Sequence, residues 1–166
     1  AGEPEPVPGV ERAEVIWGLQ ERGENLVFGF RREANASSEL VEYSPENGSS
    51  RVLSEGFSYA AFRVVGDIVY VKLPSSGDRE QLVAQLSLAS GALSEVGFAP
   101  TDFQQIALSG ESLLFADSTR GTLSRLRPAQ VLGQVLAGEQ QGLVNVALDD
   151  SRIYFVSSGS ILSLPR

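Results

Sequence analysis

The sequence contains no cysteine, no histidine and no methionine. Without cysteine no disulfide can form, and zinc sites built from cysteine, or from cysteine and histidine, are excluded. Without histidine, the Ser–His–Asp and Cys–His arrangements that activate a nucleophile cannot be assembled from this chain's own groups. We therefore expect a protein with no catalytic residues, no cofactor and no metal, stabilised by packing and by sheet hydrogen bonds.

Positive charge and long hydrophobic runs are also scarce. The formal net charge is −8, and Arg31–Arg32 is the only adjacent basic pair, whereas nucleic-acid binding needs clustered lysine and arginine. An anionic membrane surface is a poor partner for the same reason. No stretch approaches the roughly 18 unbroken apolar residues that span a bilayer. We therefore expect neither a nucleic-acid partner nor a membrane span.

The first residues bear on location. The sequence opens on Ala1 without an initiator methionine, as a mature product does after its signal peptide has been removed. We expect an extracytoplasmic protein, secreted or periplasmic. The alternatives are a domain cut from a longer chain and ordinary removal of the first methionine.

Residues 1–12 are rich in proline, with Pro4, Pro6 and Pro8. Proline favours extended backbone and removes a hydrogen-bond donor. The segment predicts a leader in front of a domain over residues 13–166. The alternative is that residues 7–10 add an edge strand, because edges tolerate proline.

The pattern of the domain is that of strands. Runs of three to eight residues rich in β-branched and aromatic side chains alternate with turn residues, and no helix-period pattern of useful length occurs. Asn47-Gly48 supplies the positive φ angles of a tight hairpin turn. The runs group into four repeat units, at about residues 13–56, 57–100, 101–141 and 142–166. The sequence therefore predicts an all-β protein of four antiparallel units.

Two sets of apolar residues recur every 38 to 45 residues and set the period of the repeat. A period near 40 with four strands per unit is what a propeller blade requires. Blades bury their faces against each other, so we expect the aromatic set to lie between blades. The second-strand set is Phe28, Tyr70, Phe115 and Phe155, and the third-strand set is Tyr43, Leu86, Leu126 and Leu164.

The last unit carries a family resemblance. LDDSRIYFVSSGSILSLPR (residues 148–166), and less closely LSGESLLFADSTRGTLSRLRP (residues 108–128), resemble the repeats of YWTD-like and related bacterial six-bladed β-propellers. In those repeats an Asp-rich turn precedes an (I/V)Y(F/W) strand, and a glycine turn and a strand ending near proline follow. The resemblance implies a propeller-like array, four-bladed or partial, and implies no active site. The chain departs from the family in having four units and no tryptophan at the YW position.

The strand count leaves the ends of the array open. Three units have four predicted strands and the last has three, which would leave an unpaired edge at Ile161, Leu162 and Leu164. Either residues 5–14 complete the last unit and close a four-bladed ring, or another chain completes a partial propeller.

The leading functional hypothesis is a non-catalytic extracytoplasmic interaction or scaffold domain. It would belong to a larger assembly, through a protein partner or through self-association. One alternative is a carbohydrate- or small-ligand-binding propeller that uses the central opening with Trp17, Asp67, Glu111 and Asp149. Core packing of Trp17 and carboxylates that bond their own turns compete with that interpretation. A second alternative is a metal-assisted hydrolase or lyase, for which only Asn145 and acidic residues are available.

Overall fold

The structure, a computed structural model, describes residues 15–31, 38–56, 58–73, 81–99 and 103–166. The predicted leader over residues 1–12 lies outside these ranges. The described residues form fifteen β-strands and no helix. The strands are β1 (Val15–Arg22), β2 (Asn25–Arg31), β3 (Glu39–Ser44), β4 (Ser49–Glu55), β5 (Ser58–Val65), β6 (Ile68–Leu73), β7 (Gln81–Ser87), β8 (Leu93–Ala99), β9 (Gln105–Ser109), β10 (Ser112–Asp117), β11 (Thr122–Leu126), β12 (Gln134–Ala137), β13 (Val144–Leu148), β14 (Arg152–Ser157) and β15 (Ser160–Pro165).

The strands form four antiparallel sheets in which consecutive strands are neighbours. We call them blade 1 (β1–β4), blade 2 (β5–β8), blade 3 (β9–β12) and blade 4 (β13–β15). The first three sheets have four strands and the last has three. The predicted all-β array of four antiparallel units is confirmed. The described part of the chain contains no helix long and apolar enough to cross a membrane.

The first turn of blades 1 to 3 is a two-residue hairpin with glycine followed by an acidic residue. The pairs are Gly23-Glu24, Gly66-Asp67 and Gly110-Glu111. The three glycines have φ angles of 62°, 56° and 60°, a left-handed conformation that a side chain disfavours. The sequence thus fixes where each first strand ends and each second strand begins.

This common start places the second strands of blades 1 to 3 in register, and β14 of blade 4, which follows a different turn, has the same register with its third strand. The third-strand set is confirmed: each member pairs with the second residue of the second strand in its blade. The pairs are Tyr43–Leu26, Leu86–Val69, Leu126–Leu113 and Leu164–Ile153.

The aromatic set is wrong by one residue in blade 2. Phe28, Phe115 and Phe155 are each the fourth residue of a second strand, but Tyr70 is the third and Val71 the fourth. Side chains alternate between the two faces of a strand. Tyr70 therefore faces blade 3, in the cluster that contains Phe115, whereas Val71 faces blade 1.

Neighbouring blades bury their faces against each other in three apolar clusters. One lies between blades 1 and 2, the next between blades 2 and 3, and the third between blades 3 and 4. Phe115 and Phe155 lie between blades, as expected. Phe28 is buried with Phe30 and Val41 on the face of blade 1 that points away from blade 2.

A charged cluster ties blade 1 to blade 2. Glu42, on β3, is only 4% exposed and accepts hydrogen bonds from Arg22 and Arg51. The distance from Arg51 Nε to Glu42 Oε2 is 2.7 Å. Arg22 also donates to Asp67 and, through Nε, to the carbonyl of Gly66 at 3.0 Å. Burial alone raises the pKa of the Glu42 carboxyl, but the bonds from Arg51 and Arg22 outweigh it, so its pKa lies below the ordinary value of 4.5.

We expect Glu42→Gln to lower the free energy of unfolding at pH 7 by about 1–3 kcal/mol, because two arginines lose a buried charged acceptor. Because the folded-state pKa of Glu42 is depressed, its carboxylate stabilises the fold at pH values above the ordinary pKa of this group. This stabilisation is lost as the pH falls through the folded-state pKa. The difference between variant and parent should therefore shrink below about pH 4. Urea unfolding from pH 7 to pH 3 measures it. Glu46→Gln, in an exposed turn, is the control, and an equal effect of both variants would contradict the prediction.

Candidate interaction site at the free edge of blade 4

The last strand of blade 4 is β15, at one edge of its sheet. β15 pairs with β14 over six residue pairs without a register shift, from Ser157–Ser160 to Arg152–Pro165. Within the described ranges, no strand pairs with the other edge of β15. That edge presents backbone donors and acceptors that a further strand could satisfy.

The exposure of Ile161 distinguishes this edge from the other blades. Ile161 pairs with Val156, the fifth residue of its second strand. The residues of β3, β7 and β11 at the same place are each 0% exposed and pack against the next blade, whereas Ile161 is 76% exposed. They are Leu40, Val83 and Leu123. Ile161 thus has the position of a residue buried between blades, but no blade formed by the described residues covers it.

The exposed surface extends over the whole sheet. Ile153 and Phe155 pack against blade 3, so the alternate residues of blade 4 point the other way. We call this surface the outward face of blade 4. It comprises Val144, Ala147, Arg152, Tyr154, Val156, Ile161, Ser163 and Pro165, and Arg152 Nε donates a hydrogen bond to Ser163 Oγ at 2.9 Å. Val144 is 41% exposed, so the face is largely apolar and partly open to solvent.

Of the three predicted edge residues, two are exposed. Leu162 is 39% exposed and pairs with Phe155, beside the cluster between blades 3 and 4. Leu164 packs against that cluster and is only partly exposed. The exposed apolar part of the β15 edge therefore lies at Ile161 and Leu162.

The turn before β14 fixes the aromatic side chain of the outward face. Oδ1 of Asp149 accepts hydrogen bonds from the backbone N–H groups of Ser151 and Arg152, at 2.7 and 2.8 Å. Oδ2 accepts the hydroxyl of Tyr154 at 2.6 Å. These hydrogen bonds hold the pKa of Asp149 well below its usual range, and the bond from Tyr154 contributes more than the two backbone bonds. The bond between Tyr154 and Asp149 also raises the pKa of Tyr154. Asp149 thus acts as a turn-former that orients Tyr154.

The other residues predicted to bind a ligand do not converge on one place. Trp17 lies on β1 opposite Gly29. Asp67 bonds to Arg22, and Glu111 lines a surface recess with Arg127 and other residues. The turns of Asp67, Glu111 and Asp149 are equivalent, since each joins the first and second strands of a blade.

The central opening is a separate cavity, of about 390 Å³, lined by the first strands of all four blades. None of the three turn carboxylates is among the described residues that line it. Its polar lining includes Asn145, which was predicted only for a metal-assisted reaction, and Gln20, Arg63 and Gln105, which were not predicted from the sequence. Gln20 donates to the carbonyl of Phe62 at 2.6 Å, and Gln105 donates to Asn145 Oδ1 at 3.3 Å.

Carboxylates do not gather into a metal site in the ranges that the structure describes, where no three acidic side chains lie together. No protein-family model matches the chain, and no curated protein sequence matches it.

Solved structures give the comparison that decides the fold. The chain is similar to TolB from Acinetobacter baumannii, with a TM-score of 0.63 and 12% identity, over 91% of this chain and 41% of TolB. It is similar to a chain of the nidogen/laminin complex, with a TM-score of 0.61 and 13% identity, over 86% of this chain and 56% of that one.

A third similar structure is the β-propeller domain of the Trilobed protease from Pyrococcus furiosus, described as having an open velcro topology. The TM-score is 0.55 and the identity 10%, over 93% of this chain and 58% of that one. The fold is that of a β-propeller. The resemblance stated from the sequence is confirmed at the level of the fold, and the chain spans roughly half the length of these propellers.

We expect Asp149→Asn to lower the pKa of Tyr154 towards the ordinary value of 10.0, because the variant loses the anion that stabilises the protonated phenol. Absorbance at alkaline pH, taken as a difference between variant and parent, measures the shift. Asp150→Asn removes an adjacent exposed carboxylate and is the control. Equal shifts in both variants would show that general charge, and not the hydrogen bond, sets the pKa.

Proposed function

We propose that this chain is a non-catalytic protein-interaction domain whose blade 4 receives a β-structure from another polypeptide. The observation that carries the proposal is the exposure of Ile161 at a position that is fully buried in the other three blades. Sheets of a propeller are stable because neighbours cover their faces. Blade 4 has an exposed apolar face and, at the same place, an edge that none of the described strands pairs with, so one partner would satisfy both.

Intramolecular closure is a weaker explanation of the same surface. The face of blade 1 that would have to meet blade 4 contains Phe28, Phe30 and Val41, which are at most 4% exposed. Ile16 and Val52, which pair with Phe30 and Val41, are 55% and 46% exposed, so the open apolar surface of this face is confined to the outer strands β1 and β4. Among the described strands, the extensive contacts between blades join blade 1 to 2, 2 to 3 and 3 to 4.

The similar structures support this proposal in two ways. One comes from a complex between two proteins, so this fold is compatible with a protein partner. Another has an open velcro topology, so the fold is compatible with a ring that its own strands do not close. An extracytoplasmic location is part of the proposal.

Replacement of Ile161 by arginine tests the proposal. A charge at the centre of an apolar contact should weaken association about tenfold or more, while leaving the fold intact, since the side chain is exposed. Val131→Arg is the matched control, because Val131 is 73% exposed and lies in the loop between β11 and β12, where its carbonyl contacts β8 of blade 2. Light scattering and native mass spectrometry of material from the natural source measure the association.

A photoreactive amino acid at position 161 or 131 identifies the contact directly. We expect a cross-linked product from position 161, with a second copy or with another protein, and none from position 131. A protein that is monomeric in the source material and cross-links equally from both positions would overturn the proposal.

A second candidate function is the binding of a small polar molecule, such as a carbohydrate, in the central cavity. The observation that favours it is the set of side-chain amides on the cavity wall, since Gln105 and Asn145 present both donors and acceptors. Sugar hydroxyl groups match such a lining.

If this second function is correct, saturation-transfer NMR with a panel of neutral sugars should detect binding that Gln105→Leu abolishes. Gln140→Leu, on the surface of blade 3 beyond the cavity lining, should leave binding unchanged. Absence of binding across the panel would remove this candidate.

A further inference from the structure

The three complete blades share a feature that blade 4 lacks. In each, the third strand pairs with the fourth through a register shift, and the shifts lie at equivalent residues. They fall between Leu40 and Val41 in blade 1, Val83 and Ala84 in blade 2, and Leu123 and Ser124 in blade 3. A β-bulge at a repeated position is a designed feature of a fold.

One extra residue of the fourth strand occupies each bulge, and it is apolar in all three blades. Each of these residues packs, partly buried, against the cluster between its own blade and the next. They are Leu53, Val96 and Leu136. A fourth strand therefore contributes an apolar side chain to the interface between blades as well as hydrogen bonds.

The residue after the bulge is small in every case. It lies opposite the third-strand residue that is fully buried between the blades. The pairs are Ser54–Leu40, Gly97–Val83 and Ala137–Leu123. The equivalent third-strand residues of blade 4 are Ile161, opposite the small residue, and Leu162, on the other side of the bulge.

We propose that the partner contributes an extended segment that adds antiparallel to β15 as the fourth strand of blade 4. This inference rests on the function proposed above. An apolar residue followed by serine, glycine or alanine meets the edge at Ile161 and Leu162. The apolar side chain extends the outward face of blade 4, and the small residue leaves room beside Ile161. Backbone hydrogen bonds supply affinity and the bulge sets the register.

The other outer strands do not offer a comparable edge. β4 carries Arg51 and Glu55, and charges on an edge oppose further pairing. The edge of β8 is covered, since Phe98 N–H donates to the carbonyl of Val131 at 2.7 Å and Gly133 N–H donates to that of Phe98. β12 has only four residues. β15 has six residues and no charged side chain.

The test uses peptides copied from the protein's own fourth strands. A labelled peptide of residues 49–56, SSRVLSEG, is titrated into the full chain, with fluorescence anisotropy as the readout. We expect saturable binding, at least about tenfold weaker when the leucine of the peptide is replaced by aspartate, because a carboxylate would replace the apolar side chain that packs beside Ile161 on the outward face. Backbone amide NMR shifts should be concentrated in residues 160–165, and Ile161→Arg in the protein should abolish binding.

Competition separates this inference from the function on which it rests. The peptide should suppress the cross-link from position 161, and the aspartate peptide should not. If position 161 still cross-links a partner in excess peptide, the docking function stands and the proposed strand pattern is overturned. A homodimer that the peptide fails to dissociate likewise overturns it, as would equal binding of both peptides.

Discussion

Every blade of this chain depends on a neighbour to cover a face of its sheet. The interior residues of blades 1 to 3 meet this requirement in clusters that contain fully buried Leu40, Val83 and Leu123. Among the strands that the structure describes, the sheet of blade 4 meets it on one side only. The exposed surface of blade 4 is thus a direct consequence of where the stacking of sheets stops, and it needs no separate binding motif.

The two ends of the array differ in the exposure of their central apolar residues, and this distinguishes the outward face of blade 4 from that of blade 1. Phe28 and Phe30 of blade 1 are buried, whereas Ile161 of blade 4 is open to solvent. Between them, polar contacts hold neighbouring blades together near the axis, through Gln20 at blades 1 and 2 and through Gln105 at blades 3 and 4. A partner that docks on blade 4 would meet a sheet that is already held on its other face.

The sequence predicted the parts of the fold that depend on periodic burial. The third-strand set was correct because each member pairs beside an apolar second-strand residue at a fixed distance from a turn. Tyr70 was misplaced because the aromatic ring was taken as the marker, whereas burial between blades requires only an apolar residue on the correct face, as Val71 shows. The amides of the central cavity could not be predicted, because their role arises only when four distant first strands converge.

An uncharged edge strand is by itself a hazard, since it can pair with almost any extended chain. The β-bulge distinguishes specific recognition of one partner strand from such non-specific pairing. A regular strand added to β15 would carry no extra apolar residue into the gap beside Ile161 and would leave part of the outward face uncovered. A strand with an apolar residue followed by a small one would fill that gap and fix its own register, so the same geometry that builds blades 1 to 3 would discriminate among partners of blade 4.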